Sequence, residues 1–142
     1  MKVAIGLGTS LALQRHGEGR VAARAAQLSL AVRQLDATPG LHLLRVSPWV
    51  STPPLRGGTA RGLFLNGVAL FTSTLAPQAV LRRCIALEEA AGRRRARWWG
   101  DRTLDLDVLM VEGVVLDEER LVLPHPAIAD RPFVLGPLLA VW

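Results

Sequence analysis

The 142 residues include one cysteine, Cys84. An internal disulfide is therefore excluded, and the chain suits a reducing compartment. Lysine is scarce as well. Of the 17 basic residues only Lys2 is a lysine, so the net charge of +5 is carried by arginine. Long apolar runs are missing. The opening Met1-Lys2-Val3-Ala4-Ile5-Gly6-Leu7-Gly8 is too short and too broken by glycine to be a signal peptide or a membrane span. There is no repeat at a solenoid period, and no linker divides the chain. Half of the residues are apolar, which excludes wholesale disorder. These absences leave one cytoplasmic domain, with a core of its own, as the expectation.

What is present is concentrated in one stretch. Arg93-Arg94-Arg95-Ala96-Arg97-Trp98-Trp99-Gly100-Asp101-Arg102 holds five arginines in ten residues and leads into Thr103-Leu104-Asp105-Leu106-Asp107. On a strand, successive side chains face opposite ways, so Asp105 and Asp107 share one face and Leu104 and Leu106 the other. Their Cα atoms would stand roughly 6.7 Å apart, twice the rise per residue. Two like charges so close repel each other unless a cation lies between them. Hard divalent ions with oxygen ligands suit that position, and the arginines would clamp phosphate oxygens. The competing reading is a wet polar strand face beside a solvated basic turn. A basic chain invites nucleic acid, membrane surface or phosphorylated small molecules. The confinement of charge to one short segment beside carboxylates favours a compact phosphate site.

The rest of the chain reads as alternating elements. Residues 3–7 form a buried strand that ends in a glycine turn, Gly6-Leu7-Gly8-Thr9-Ser10, where backbone can approach a ligand. Over residues 19–35, Val21, Ala25, Leu28, Val32 and Leu35 make one helical face, with Arg20, Arg24 and Arg33 mostly off it. Thr38-Pro39-Gly40 is a turn. Residues 41–50 form a strand broken by Ser51-Thr52-Pro53-Pro54, and a glycine-rich loop follows over 56–62. Residues 64–72 form the next strand. A helix starts at Pro77, carries Val80, Cys84, Leu87 and Ala91 inward and ends at Gly92. The arginine loop, a strand over 104–111, a turn at Gly113 and a short helix after Pro132 complete the chain. The order β-α-β-β-α-β predicts an α+β, ferredoxin-like fold, an antiparallel sheet with helices packed on it and a C-terminal elaboration.

Laid out this way, the chain resembles the 6-hydroxymethyl-7,8-dihydropterin pyrophosphokinase family over nearly its whole length. The resemblance is carried by Gly6-Leu7-Gly8-Thr9-Ser10-Leu11, Ser51-Thr52-Pro53-Pro54-Leu55, Phe64-Leu65-Asn66, Arg102-Thr103-Leu104-Asp105-Leu106-Asp107, Leu123-Pro124-His125-Pro126 and Arg131-Pro132-Phe133. It implies one pyrophosphokinase domain over residues 1–142 that transfers pyrophosphate from ATP to a hydroxymethyl pterin in folate biosynthesis. By resemblance, Asp105 and Asp107 hold two Mg²⁺ ions, and Arg93 and Arg102 act on the transferring phosphates. Arg95, His125 and Arg131 match further phosphate-binding positions, Trp99 the tryptophan of a mobile arginine loop, and Glu88 a glutamate near the nucleotide. Val108 borders the adenine. Phe64 and Phe133 match two aromatic walls around the pterin, Asn66 its polar edge, and Thr52, Pro53 and Leu55 the adjoining segment.

The resemblance implies small-molecule substrates, no nucleic acid and no membrane, and the expected state is a monomer. Pro126 stands where an aromatic that contacts ATP is common, and Ile85 where a polar side chain can occur. The chain stops at Trp142, where many relatives continue. Two rival readings are a basic nucleic-acid-binding module, with Trp98 and Trp99 as stacking surfaces, and a catalytically lapsed homologue. The carboxylate pair argues against both.

Overall fold

A computed structural model describes residues 1–12, 17–52, 62–98 and 104–142; of residues 10–12, 17–22, 52, 62, 63 and 93–98 it describes the backbone. The elements run β1 (Lys2–Ala12), α1 (Gly17–Asp36), β2 (Leu41–Val46), β3 (Val50–Thr52), β4 (Gly62–Ser73), α2 (Pro77–Trp98) and β5 (Leu104–Val111). Two short strands follow, β6 (Leu116–Asp117) and β7 (Val122–Leu123), then α3 (Ala127–Asp130) and α4 (Pro132–Val141). The main sheet has the order β2-β4-β1-β5, with every pair antiparallel, and β3 also pairs with β4. The expected β-α-β-β-α-β order appears with one further strand, β3, between β2 and β4, in an α+β architecture with helices packed on an antiparallel sheet.

Period-two alternation sorts the sheet into two apolar layers. Val3, Ile5 and Leu7 of β1, Leu65, Ala69 and Phe71 of β4, and Leu104, Leu106 and Val108 of β5 pack against Leu28, Val32 and Leu35 of α1 and Val80, Cys84 and Leu87 of α2. Residues one step out of phase, Ala4, Val68, Leu70 and Leu109, meet Leu138 and Val141 of α4 on the opposite face. Each fully buried aliphatic side chain contributes about 1.5–3 kcal/mol relative to exposure. Cys84 belongs to the first layer. Burial, helped by the charges of Glu88 and Asp107 and opposed by Arg83, pushes its thiol up to about 12, so it is a neutral core residue. Among the described residues no helix is long and apolar enough to cross a membrane.

Four local expectations are corrected. Gly6-Leu7-Gly8-Thr9-Ser10 is not a turn but the middle of β1, paired with β4 on one side and, as far as Thr9, with β5 on the other. Two ladders satisfy its backbone groups, and that outweighs the turn preference of glycine. The strand predicted over 41–50 breaks earlier, at Ser47-Pro48-Trp49. Pro48 has no N–H to donate, and Ser47 bridges the gap: its own N–H donates to the Val68 carbonyl at 2.8 Å, and its Oγ accepts the Val68 N–H at 2.9 Å. Arg24 is not off the buried face of α1 but 4% exposed. The second helix does not end at Gly92; α2 continues to Trp98, so Arg93, Arg94, Arg95 and Arg97 stand on helical backbone rather than in a loop. A single glycine costs a helix only about 1 kcal/mol, and the arginines and alanines around it favour continuation.

Trp49, at the break, packs on the back of β4. A Cβ at Gly67 would lie 2.4 Å from its ring, closer than any carbon contact allows. Gly67→Ala is therefore expected to lower stability by about 1–3 kcal/mol through overpacking against a rigid indole. A urea midpoint equal to that of the parent protein would refute this packing.

Candidate active site

A cleft of about 170 Å³ opens on the α4 face of the sheet. Its floor is built from rows of cross-strand partners. Gly8 on central β1 pairs with Asn66 on β4 and with Asp105 on β5; Gly6 pairs with Val68 and with Asp107. Glycine at both central positions keeps the floor low, which is a use that glycine within a strand commonly has. Phe64 and Asn66 form one side, Asp105 and Asp107 the other, and Arg131, Phe133 and Val134 close it from the start of α4. Pro132 occupies the first turn of that helix, where its missing N–H costs nothing. The far end of α4 is tied to β2 by Arg45, whose Nε donates to the Val141 carbonyl at 2.9 Å.

Several predicted residues thus meet in one place. Asp105, Asp107, Phe64, Asn66, Phe133 and Arg131 all line the cleft, and Thr52 pairs directly with Phe64 across β3 and β4. The alternation predicted for β5 is seen in its burial, with Leu104 and Leu106 buried and Asp105 and Asp107 exposed. Arg93 and Arg95 lie on the backbone of α2. Pro53, Leu55, Trp99 and Arg102 lie outside the described residues. Val108 does not line the cleft with its side chain, which is buried against α1 and α2. His125 stands just after β7, half-buried, where its Nδ1 accepts the Ala127 N–H at 3.0 Å and its own N–H donates to the Leu109 carbonyl at 2.8 Å. Pro126, its neighbour, occupies the N-cap position of α3.

Glu88 does not line the cleft either. It reaches from α2 to the outer edge of β5, where its Oε2 accepts the Leu106 N–H at 3.0 Å. That N–H belongs to the residue between the two aspartates and lies on an edge strand, so a side chain supplies the missing ladder partner. Burial raises the Glu88 carboxyl above its usual range; the Leu106 hydrogen bond opposes this, and Asp105, Asp107 and Glu89 add to it. Nothing in the local pattern signals this contact, because a Glu88-Glu89 pair suits an exposed helix face equally well. Gly6, Gly8, Leu109 and Val134 were also missed as site residues. The signals at hand were the two glycines, read as letting backbone approach a ligand, and the phase that Gly6 and Gly8 share with Ala4.

Chemically, one side of the cleft offers two hard oxygen donors and the other a carboxamide beside an aromatic ring. Mg²⁺ commonly takes one or two carboxylates and completes its shell with phosphate oxygens and water, so the donor set fits that ion.

Comparison with known proteins agrees over almost the whole chain. The family described as 7,8-dihydro-6-hydroxymethylpterin-pyrophosphokinase (HPPK) matches residues 4–142. A 2-amino-4-hydroxy-6-hydroxymethyldihydropteridine pyrophosphokinase of Methylorubrum extorquens is 43% identical over 118 residues, covering 83% of this chain and 74% of its own. The protein of the same name from Pseudomonas aeruginosa is 37% identical over 137 residues, covering 96% and 78%. A folic acid synthesis protein of Schizosaccharomyces pombe is 36% identical over 115 residues, and there the chain spans only 16% of the longer protein. These likenesses define an enzyme of the ATP-dependent pyrophosphokinase class. The chain belongs to the HPPK family.

Glu88→Ala is expected to cost about 1 kcal/mol of stability by leaving an edge N–H without its partner, whereas Glu88→Gln keeps an acceptor there. A carboxyl raised in the folded state binds more protons folded than unfolded, so its contribution is full below the unfolded value and is lost as pH rises through the folded one. Unfolding midpoints of the metal-free protein between pH 4 and 7 should therefore drift in favour of Glu88→Gln as pH rises. A parallel pair of pH curves would contradict this.

Proposed function

We propose that the chain transfers pyrophosphate from ATP to the hydroxymethyl group of 6-hydroxymethyl-7,8-dihydropterin, releasing AMP, as a step of folate biosynthesis. One observation carries this reading: a single cleft has Asp105 and Asp107 on one side strand and Phe64 and Asn66 on the other. A ring held at one side can thus present an arm to phosphates held at the other. The new bond joins the hydroxymethyl oxygen to the β-phosphorus while its O–H proton passes to water; the bond from that phosphorus to the α,β-bridging oxygen breaks, and its electron pair leaves with AMP.

Asp105 and Asp107 would hold two Mg²⁺ ions, which supply charge neutralisation to the triphosphate and polarise the entering and leaving oxygens. Phe64 and Phe133 stack the pterin, each ring gaining roughly 0.5–1.5 kcal/mol beyond area burial. Asn66 can both donate to and accept from its polar edge. Thr52, Pro53 and Leu55 border the ring through the adjoining backbone. Arg93 and Arg102 oppose the charge that develops on the transferring phosphates, and Arg95, His125 and Arg131 hold the remaining oxygens. Val108 borders the adenine through its backbone, its side chain being buried on the other face, Trp99 shuts the site from water, and Glu88 braces the strand that carries the aspartates. These groups position and neutralise rather than react covalently. One domain, acting as a monomer in the cytoplasm on small molecules, accounts for all of these roles.

The test is chromatography of the products after mixing protein, pterin, ATP and Mg²⁺. AMP formed in step with a pyrophosphorylated pterin is expected; ADP, or no nucleotide product from the folded protein, would reject the assignment. Asp105→Ala and Asp107→Ala should each lower turnover by about two to three decades or more, with unfolding midpoints unchanged because both side chains are exposed. Near-normal turnover by either would remove the carboxylate pair from the chemistry. Arg102→Ala should lower kcat by about two decades while the KM for ATP changes little. An effect confined to KM would make Arg102 a ground-state contact.

A further inference from the structure

Each row across the cleft floor has a glycine at its centre, and at one of them a neighbouring side chain takes up the space. In the row Asn66–Gly8–Asp105, a Cβ built on Gly8 would stand 2.8 Å from Asn66 Oδ1. Any side chain at position 8 therefore obliges the Asn66 carboxamide to move. The next neighbours, the Leu65 carbonyl at 3.8 Å and Asn66 Cγ at 3.9 Å, are ordinary contacts. The only glycines of positive φ among the described residues are Gly40 and Gly113, so the backbone at Gly8 suits any L-residue. An alanine here leaves the strand in place and displaces one functional group. Gly6 differs. Its Cβ would meet the Leu109 side chain at 3.2–3.4 Å, which is a matter of apolar packing.

The geometry points to Gly8 as a specificity-determining position. By carrying no side chain it lets the Asn66 carboxamide overhang the central strand, on the path toward Asp105. The outer Cα atoms of this row are separated by two strand spacings, about 9.6 Å. Over that distance the polar edge of a flat heterocycle is read at Asn66 while its reacting arm passes over Gly8 toward the phosphates. A bulkier residue at position 8 would close this passage by turning the reading group aside. Discrimination is thus set by a missing side chain as much as by the asparagine itself.

This inference rests on the pterin reading above, and the test separates the two. Gly8→Ala, Asn66→Ala and the double variant are compared with the parent protein by AMP release. The side-chain amide resonances of Asn66 are also recorded in the protein without substrates. Gly8→Ala should raise the KM for the pterin about tenfold or more, leave the KM for ATP and the unfolding midpoint near parental values, and shift the Asn66 amide resonances. On the Asn66→Ala background the same substitution should add almost nothing, because the two act through one group. An unchanged pterin KM, unmoved amide resonances, or full additivity with Asn66→Ala would each overturn the assignment. Failure of the pterin reading shows separately, as a parent protein that releases no AMP, and the amide resonances then still decide whether Gly8 sets the place of Asn66.

Discussion

Everything in this molecule depends on the two-residue alternation of three adjacent strands, β4, β1 and β5, where they face the cleft, short of the register shift at Ala4/Ile5. Leu65, Leu7 and Leu106 turn toward α1 and α2, while Asn66, Gly8 and Asp105 turn toward the cleft. A slip of one residue in the β1–β5 ladder would bury a carboxylate and expose a leucine, and one in the β1–β4 ladder would bury the Asn66 carboxamide, so the energy of the core holds the register of the site. Stability and function are thus written on opposite faces of the same backbone. Leu104, Leu106 and Val108, buried on the opposite face, fix the direction in which the aspartates point.

Two attachments carry this order outward from the sheet. Glu88 joins α2 to the edge of β5 at the residue between the aspartates. The arginine-bearing end of α2 follows one to three turns later on the same helix, so cations and carboxylates share one frame. On the other face, Arg45 holds the end of α4 whose beginning carries Phe133 and Arg131. The aromatic wall above the cleft is thereby referenced to β2, the strand farthest from the aspartates. Opposite sides of the site are set by opposite edges of the sheet.

Much of this was legible in the sequence. The Leu-Asp-Leu-Asp alternation determines which side chains share a face, and β5 runs over the predicted residues, Leu104–Val111. The helical stripe through Leu28, Val32 and Leu35 packs as its spacing implies. The failures have a common cause. Gly6 and Gly8 read locally as turn formers, but two flanking strands claimed their backbone groups, which no local pattern reveals. Gly92 read as a stop, yet its neighbours favour helix. Glu88 read as a residue near the nucleotide or on an exposed helix face, and Arg24 as lying off the buried one, because periodicity says nothing about an edge strand that needs a partner or a cation that ends up covered. Long-range pairing, rather than propensity, settled each of these positions.

The meeting of Lys2 with the last residue has a wider meaning. Its ammonium lies 4.9 Å from the centre of the Trp142 ring, so the first strand and the last helix arrive at the same corner of the molecule. Gly8 is six residues further along β1, roughly 20 Å away at the usual strand rise. The floor of the cleft, laid by β1, and the wall above it, raised by α4, are thus moored to one another at a single pin outside the site.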